Sequence, residues 1–402
     1  MRKNLFFLIF LMFSGLAISQ NKYQKDFDYF CDIIEKQYAY FDQKQTDWKK
    51  VKELYNNRLQ SIKKDWEFTY TIELMKHELY DPHVSLNRNI DLSFRLIPND
   101  TDAHIQIENG KYYISDIRDS YTITNYNLKV GDQLLKVNGK DIEDVIQWNL
   151  PASIEKPDDE VKEYFANLIF AGRHNKPRAF QIARNKQEIE VQLPKATKKK
   201  ESSLLLESEI LKGNVGYIKI NNSLGNYDLI SMFPKTVDDL TNTKALIIDL
   251  RETHGGGNTD VAKAIMGKFI TKEMPYQIHE RVGLERALGI KRKYIEILSP
   301  LKNPYTKPVY VLVSRWTGSV GEAIAQGFSN INTATVVGTT MAQLLGAITC
   351  YTLPDSGLRV CFPFEKLYNV DGTPREDFQP EITTQGYKHT FQKTIELIRE
   401  KK

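Results

Sequence analysis

The residues best placed for chemistry lie in VYVLVSRWTGSVGEAIAQGF, 309–328, where an apolar run meets a helical pattern at Ser319. A serine in a strand-to-helix connection sets its hydroxyl beside the free N–H groups and positive dipole end of the helix, the surroundings an acyl-transfer nucleophile needs. Val309 to Val313 read as a buried strand, and Thr317 and Gly318 are small enough for a tight turn. Ala323, Ile324 and Phe328 follow at helical spacing. Ser319 and Glu322 also spell S-x-x-E, a capping box, so the same residues have a purely structural reading.

A second element is DLRETHGGGN, 249–258, where an apolar strand ends in three glycines ahead of a helix. Glycines there allow close backbone approach to a ligand, whereas the spacing fits neither a dinucleotide fingerprint nor a phosphate loop. The N–H groups of Gly255 and Gly256, with that of Val320, are candidates for an oxyanion hole. The bland alternative is a tight turn. His83 follows the helix-stopping Pro82 in YDPHVSL, 80–86, and His254 sits beside the glycine run. The remaining histidines, His77, His104, His174, His279 and His389, show no metal-ligand spacing, and neither a metal nor another cofactor is expected.

The elements that must position these groups fall into blocks. Residues 1–19 read as a signal peptide: Arg2 and Lys3, an apolar run from Leu5 to Phe13, and Ala17-Ile18-Ser19 ahead of Gln20. Cleavage near Ser19 implies an exported protein, periplasmic or secreted. Cys31 lies too far beyond that point for a lipid anchor, and no membrane anchor is expected. Residues 20–89 are helical in pattern, with Phe68, Ile72, Met75 and Leu79 on one face. Residues 90–195 carry short strands (HIQI, KYYISDI, DQLLKVNG, AFQIAR, EIEVQL) around an acidic helical stretch near 156–170. A lysine-rich linker spans 196–204, and residues 205–402 alternate strand and helix, the rhythm of a mostly parallel α/β sheet. Residues 271–306 interrupt that rhythm and suggest a lid.

At 402 residues the chain holds two or three cores, and removing Arg2 and Lys3 takes its formal charge from +4 to +2, which gives nucleic acid no purchase. Cys350 and Cys361 flank the turn Asp355-Ser356-Gly357 at nearly equal distance, so an exported chain can bridge them or leave two half-buried thiols.

Taken together, DLRETHGGGN, TGSVGEA at 317–323, VVG at 336–338 and DGTPREDFQPE at 371–381 resemble, in order and spacing, the catalytic domain of the C-terminal processing and tricorn-type serine peptidases. LKVGDQLLKVNGKDIED, 128–144, resembles a PDZ domain, and YDPHVSL resembles the family's histidine motif. The resemblance implies an α/β multidomain fold: an N-terminal helical region, a PDZ-like β-rich domain and a crotonase/ClpP-like α/β catalytic domain. It also implies a serine endopeptidase acting on peptides or proteins that the PDZ-like domain captures. The processing branch pairs the serine with a lysine about six residues past Gly338, and Leu344 occupies that place here. The tricorn-like branch uses a histidine and a glutamate, which match His83 as general base and Glu376 as the orienting carboxylate. Thr253, where the family often has asparagine, and Pro82, in place of a small or polar residue, depart from the pattern. His254 is the reserve base. The alternatives are a Ser/Lys hydrolase with another lysine, and a non-hydrolytic carrier of peptides or apolar ligands on the same scaffold.

Overall fold

The computed structural model describes residues 23–400 except 175, 198, 200 and 201, so the signal-like segment 1–19 lies outside the described residues. The chain opens with helices α1 (23–37), α2 (Trp48–Leu59) and α3 (Asp65–His77), then a short strand β1 (Ser85–Leu86). Phe68, Ile72 and Met75 recur at helical spacing along α3 and are buried with Leu79, as their periodicity predicts. Asp47 starts α2 by accepting the Lys49 and Lys50 N–H groups.

Next come β2 (Ala103–Glu108), β3 (Lys111–Ile117), β4 (Gln133–Val137), β5 (Lys140–Asp141), α4 (Ile142–Asn149), α5 (Asp159–Ala171), β6 (Arg178–Arg184) and β7 (Gln187–Leu193). Their antiparallel sheet runs in the order β2-β3-β4-β6-β7, with β5 beside β4. Ile105, Ile114, Phe170 and Ile182 meet in its core. Arg178 threads through this core and pairs with Asp102, at 2.9 Å and 2.5 Å, while Nη1 also donates to the Phe170 carbonyl at 2.9 Å.

The rest comprises β8 (Leu206–Leu211), β9 (Val215–Ile220), α6 (Leu229–Asp239), β10 (Ala245–Asp249), α7 (Thr259–Gly267), β11 (Met274–Glu280), α8 (Val282–Leu288), β12 (Lys293–Leu298), β13 (Val309–Val313), α9 (Val320–Asn330), β14 (Thr335–Gly338), β15 (Ala347–Thr352), β16 (Arg359–Tyr368), β17 (Ile382–Thr383) and α10 (Gly386–Glu400). One sheet runs β17-β14-β13-β10-β9-β8, parallel throughout except for β8 at the edge. Every residue of β10 and β13 is buried, as continuous apolar strands covered on both faces must be. Ile248 and Val311 face Ile324 and Phe328 of α9, while Ile247, Tyr310 and Leu312 face Ile398 of α10.

A second sheet runs β1-β16-β11-β12 with β15 beside β16, and it joins the N-terminal region to the last domain. Residues 271–306 are thus built into a sheet and are not a free lid. The buried polar side chains of β11 are satisfied across that sheet: Gln277 donates to Glu296 at 2.8 Å, and His279 Nδ1 meets Glu365 at 2.8 Å. Cys350 and Cys361 face one another across β15 and β16 with an S–S distance of 2.04 Å. Cys31 is free and buried, which pushes its thiol up to about 12. No helix among the described residues is long and apolar enough to cross a membrane.

The Arg178–Asp102 pair generates a prediction. Both side chains are almost wholly buried, so removing one charge strands the other in an apolar core. Arg178→Met is expected to lower stability by about 3–5 kcal/mol, read by urea denaturation. A loss within about 0.5 kcal/mol, the usual range for surface changes, excludes a structural role.

Candidate active site

Ser319 caps α9 with φ +53° and ψ −112°, a conformation that non-glycine residues rarely adopt and that costs on the order of 1–3 kcal/mol. Something must hold it there. The Ser319 N–H donates to Glu322 Oε2 at 2.7 Å, the reciprocal half of the capping box. The Ser319 side chain faces the Glu322 backbone N–H to complete the box, and the residue is partly exposed. Val320, at the first helical position, has an N–H without an intrahelical partner.

The turn is knitted to the end of β10. Thr317 Oγ1 donates to the Leu250 carbonyl at 2.9 Å, Ser314 Oγ to the Arg251 carbonyl at 2.7 Å, and the Gly318 N–H to the Thr253 carbonyl at 3.3 Å. Thr253 donates its hydroxyl to Leu250 at 2.8 Å and packs on Gly321, so the position where asparagine is common serves here as a structural spacer. Gly256, at φ +62°, lies directly against the serine. A Cβ there would sit 2.5 Å from Ser319 Cβ and 2.9 Å from its Oγ, which leaves glycine as the residue that fits. The neighbouring donors are occupied in this conformation: the Gly255 N–H donates to Asn222 Oδ1 at 2.7 Å, and the Gly256 N–H to Thr253 O at 3.3 Å.

Residues 342–346 form the floor of the site. Glu322 accepts the Gln343 N–H at 2.8 Å and the Leu344 N–H at 3.1 Å in addition to Ser319. Burial pushes its carboxyl up to about 7, against the nearby Arg375 charge and these N–H groups, all of which favour the anion. Arg375 supplies the opposite side of the floor by donating to the carbonyls of Leu344 and Gly346. Leu344 is buried, and its Cδ1 lies 3.1 Å from where a Gly318 Cβ would be, so an apolar side chain fills the wall beside the serine turn.

His83 reaches the same floor from the N-terminal region. Its Nδ1 lies 2.6 Å from the Leu345 carbonyl, which can only accept, so Nδ1 carries the proton and Nε2 keeps its lone pair. Asp81 accepts the His83 N–H at 2.8 Å and the Tyr38 hydroxyl at 2.7 Å, fixing the backbone that presents the ring. Burial holds the imidazole down at about 4, with Arg375 adding to the depression, so it is neutral near pH 7. Ser319 and His83 are thus both anchored to residues 343–345, although no direct hydrogen bond joins them.

Glu376 lies on the wall of a cavity of about 440 Å³ that Pro82, Gln343 and Leu345 also line. Its Oε1 accepts from Gln43 at 3.2 Å, and its buried Oε2 has no hydrogen-bond partner among the described residues. It makes no hydrogen bond to His83; the contact on the imidazole is the Leu345 carbonyl. His254 is engaged elsewhere. The Arg118 guanidinium, which can only donate, lies 2.6 Å from His254 Nδ1, and Arg118 also binds Glu252 at 2.9 Å. That occupies a lone pair a base would need.

Sequence reasoning missed Asn222, Arg118, Arg375 and the buried role of Glu322. Only Glu322 left a signal, its place in S-x-x-E. The others act from distant segments on backbone atoms or on one another.

Comparison with known proteins bears on the whole arrangement. Residues 214–384 match the model of peptidase family S41, residues 103–215 that of a PDZ domain, and residues 19–76 that of the tricorn protease C1 domain. The tail-specific protease of Haemophilus influenzae is 27% identical over 259 residues, covering 61% of this chain and 34% of that protein. The tricorn protease of Thermoplasma volcanium is 21% identical over 321 residues, covering 72% and 28%. The chain therefore spans about a third of the length of these curated relatives. Mature CPAF complexed with lactacystin shares the fold at a TM-score of 0.60 and 15% identity, over 95% of this chain and 98% of that one. The photosystem II D1 C-terminal processing protease does so at 0.55 and 14%, over 91% and 93%. The serine turn and the glycine loop accordingly lie within the stretch of this chain that matches peptidase family S41.

Proposed function

We propose that this chain is an exported serine endopeptidase in which Ser319 is the nucleophile, His83 the general base and Glu376 the supporting carboxylate. The observation that carries it is the shared floor at residues 343–345, which holds the Ser319 turn through Glu322 and the His83 ring through the Leu345 carbonyl. In this scheme Ser319 Oγ attacks a peptide carbonyl as Nε2 of His83 takes its proton, and the proton then passes to the leaving amine. The Leu345 carbonyl and the Nδ1–H fix the tautomer and stabilise the imidazolium as it forms. The unpartnered oxygen of Glu376 supplies negative charge from the adjoining wall. The oxyanion is met by the Val320 N–H and by Gly255 or Gly256 once Asn222 or Thr253 gives way. Leu344 beside the turn favours this histidine mechanism over a lysine dyad.

A serine-directed phosphonate is the direct test. One adduct by intact mass on the natural chain, absent from Ser319→Ala and His83→Ala with both variants folded, is the expected result. A His83→Ala chain that still labels would point to another base, and a natural chain that never labels, even with added peptides, would favour the carrier.

The pH profile of labelling separates the two buried groups. His83 must be neutral to act, and its depressed value keeps it so down to about 4. Glu322 must be ionised to accept three N–H groups, and burial raises its value to about 7. Labelling is expected to fall first as pH drops through about 7 and again near 4. Glu322→Gln, slower at every pH because its amide faces an N–H, should lose the upper step and keep the lower. A single step near the ordinary imidazole value of about 6.5 in both chains would sink the assignment.

The same carboxyl sets a stability trend. Between 4.5 and about 7 the folded chain holds a proton on Glu322 that the unfolded chain releases. This contribution is complete below 4.5 and lost as pH rises through about 7. Urea midpoints of the natural chain and Glu322→Gln, compared at pH 5 and 8, should show the natural chain falling relative to the variant as pH rises; parallel lines would mean that the carboxyl is not raised.

A further inference from the structure

Away from the serine site, residues of β4, β5, α4, α5 and β6 border a cavity of about 410 Å³. No residue of β2 lines it, so it is separate from the sheet edge on which a PDZ domain adds a peptide strand. Trp148, in the last turn of α4, borders it with 89% of its surface exposed. A side chain this large and apolar is ordinarily covered, and tryptophan and arginine are over-represented among the residues that carry binding energy. The helix behind the cavity is firmly held. Asn167 of α5 accepts the Ile105 N–H and donates to the Ile105 carbonyl, each at 2.8 Å, which locks that helix to the sheet.

The charges around the cavity are of one sign. Lys140, Arg173, Lys176 and Arg178 line it, and no aspartate or glutamate does. Arg178 is spent on Asp102. The other three side chains make no hydrogen bond or ion pair among the described residues. Arg173 is instead laid over the Phe94 ring at 4.6 Å, and its Nη1 is enclosed without a partner. A guanidinium held on an aromatic face keeps its N–H groups pre-arranged for a planar acceptor such as a carboxylate.

A second cavity, of about 300 Å³, adjoins the first, and Tyr70, Phe94, Trp148 and Asn149 border both. Leu74, Phe165 and Leu168 give it apolar walls. Glu73 and Glu78 also border it, but both are committed to the protein: Glu73 accepts from Ser93 Oγ and the Phe94 N–H, and Glu78 from Tyr55, Ala152 and Ser153. The pair of cavities is thus cationic at one end and apolar at the other, with an indole between. An extended chain that carries a carboxylate beside large apolar side chains is its complement.

We propose that these adjoining cavities are a docking site for acidic peptide segments, in which a glutamate or aspartate side chain meets Arg173 and the two lysines while a neighbouring apolar side chain packs on Trp148. The choice of a peptide as carrier of the carboxylate rests on the peptidase reading; the preference for a carboxylate beside an apolar group does not.

The test titrates three acetylated and amidated peptides into the Ser319→Ala chain by calorimetry. One has two glutamates followed by two phenylalanines, the second has glutamines for the glutamates, and the third has serines for the phenylalanines. The first is expected to bind about tenfold or more tightly than either of the others, and to weaken as salt rises. Adding Trp148→Ala or, separately, Arg173→Gln is expected to weaken it about tenfold. Trp148 is exposed, so the first of these variants keeps the proposal testable even if the second does not fold. Equal binding of the glutamate and glutamine peptides, no binding of the first peptide, or an affinity unchanged by Trp148→Ala overturns the proposal. So does N-acetylphenylalanine binding as tightly as the first peptide, since a small organic acid would then be the occupant. The phosphonate probe on the natural chain is read separately: a chain that never labels removes the peptidase reading and leaves the titrations standing.

Discussion

The site depends on one buried carboxylate. Glu322 accepts N–H groups from Ser319, Gln343 and Leu344, thereby fastening the strained serine turn to the floor beneath it. Each of those N–H groups, if orphaned, would cost about 1–3 kcal/mol, comparable with the backbone strain at Ser319 itself. Holding the anion in an enclosed place is unfavourable, which is why its proton affinity rises so far. Arg375 offsets part of that penalty and, by binding the Leu344 and Gly346 carbonyls, completes the polar accounting of a buried loop.

With the floor fixed, the position of His83 follows. The histidine belongs to the N-terminal region, and two contacts carry it across: β1 pairing with β16, and the imidazole on the Leu345 carbonyl. The first is a sheet register, Ser85 opposite Cys361, that fixes the chain three residues from His83 at most. The second sets the tautomer. Tyr38 and Asp81 form the rigid support behind the ring. A side chain brought from so far along the sequence is placed precisely only because sheet, carboxylate and carbonyl agree on one geometry.

Much of this was legible in the chain. The runs VYVLV and ALIID could only be doubly covered strands, Pro82 had to end a helix before His83, and the serine had to stand at a helix start. Other parts were not legible, for physical reasons. The partner of the imidazole is a backbone carbonyl, which every residue possesses, so Leu345 carries no sign of its role. Asn222, Arg118 and Asn167 act on backbone groups or side chains tens of residues away, and no local spacing records such pairs. Glu322 was visible as a cap but not as an anchor for residues 343 and 344. Residues 271–306 misled because the pattern did not show that β11 joins a sheet, where Gln277 and His279 are buried and meet Glu296 and Glu365.

The occupied glycine donors have a consequence for the proposed chemistry. At rest Gly255 gives its N–H to a neutral amide oxygen and Gly256 gives its own to a carbonyl at the long distance of 3.3 Å. A substrate carbonyl in the ground state is another neutral acceptor, so exchanging partners gains little. The tetrahedral oxyanion is different, because a charge-assisted hydrogen bond is roughly twice as strong as a neutral one. Donors that neutral acceptors already hold therefore favour the anion over the bound substrate. Stabilisation that grows only as charge develops lowers the barrier instead of merely tightening binding, which is what an oxyanion hole must achieve.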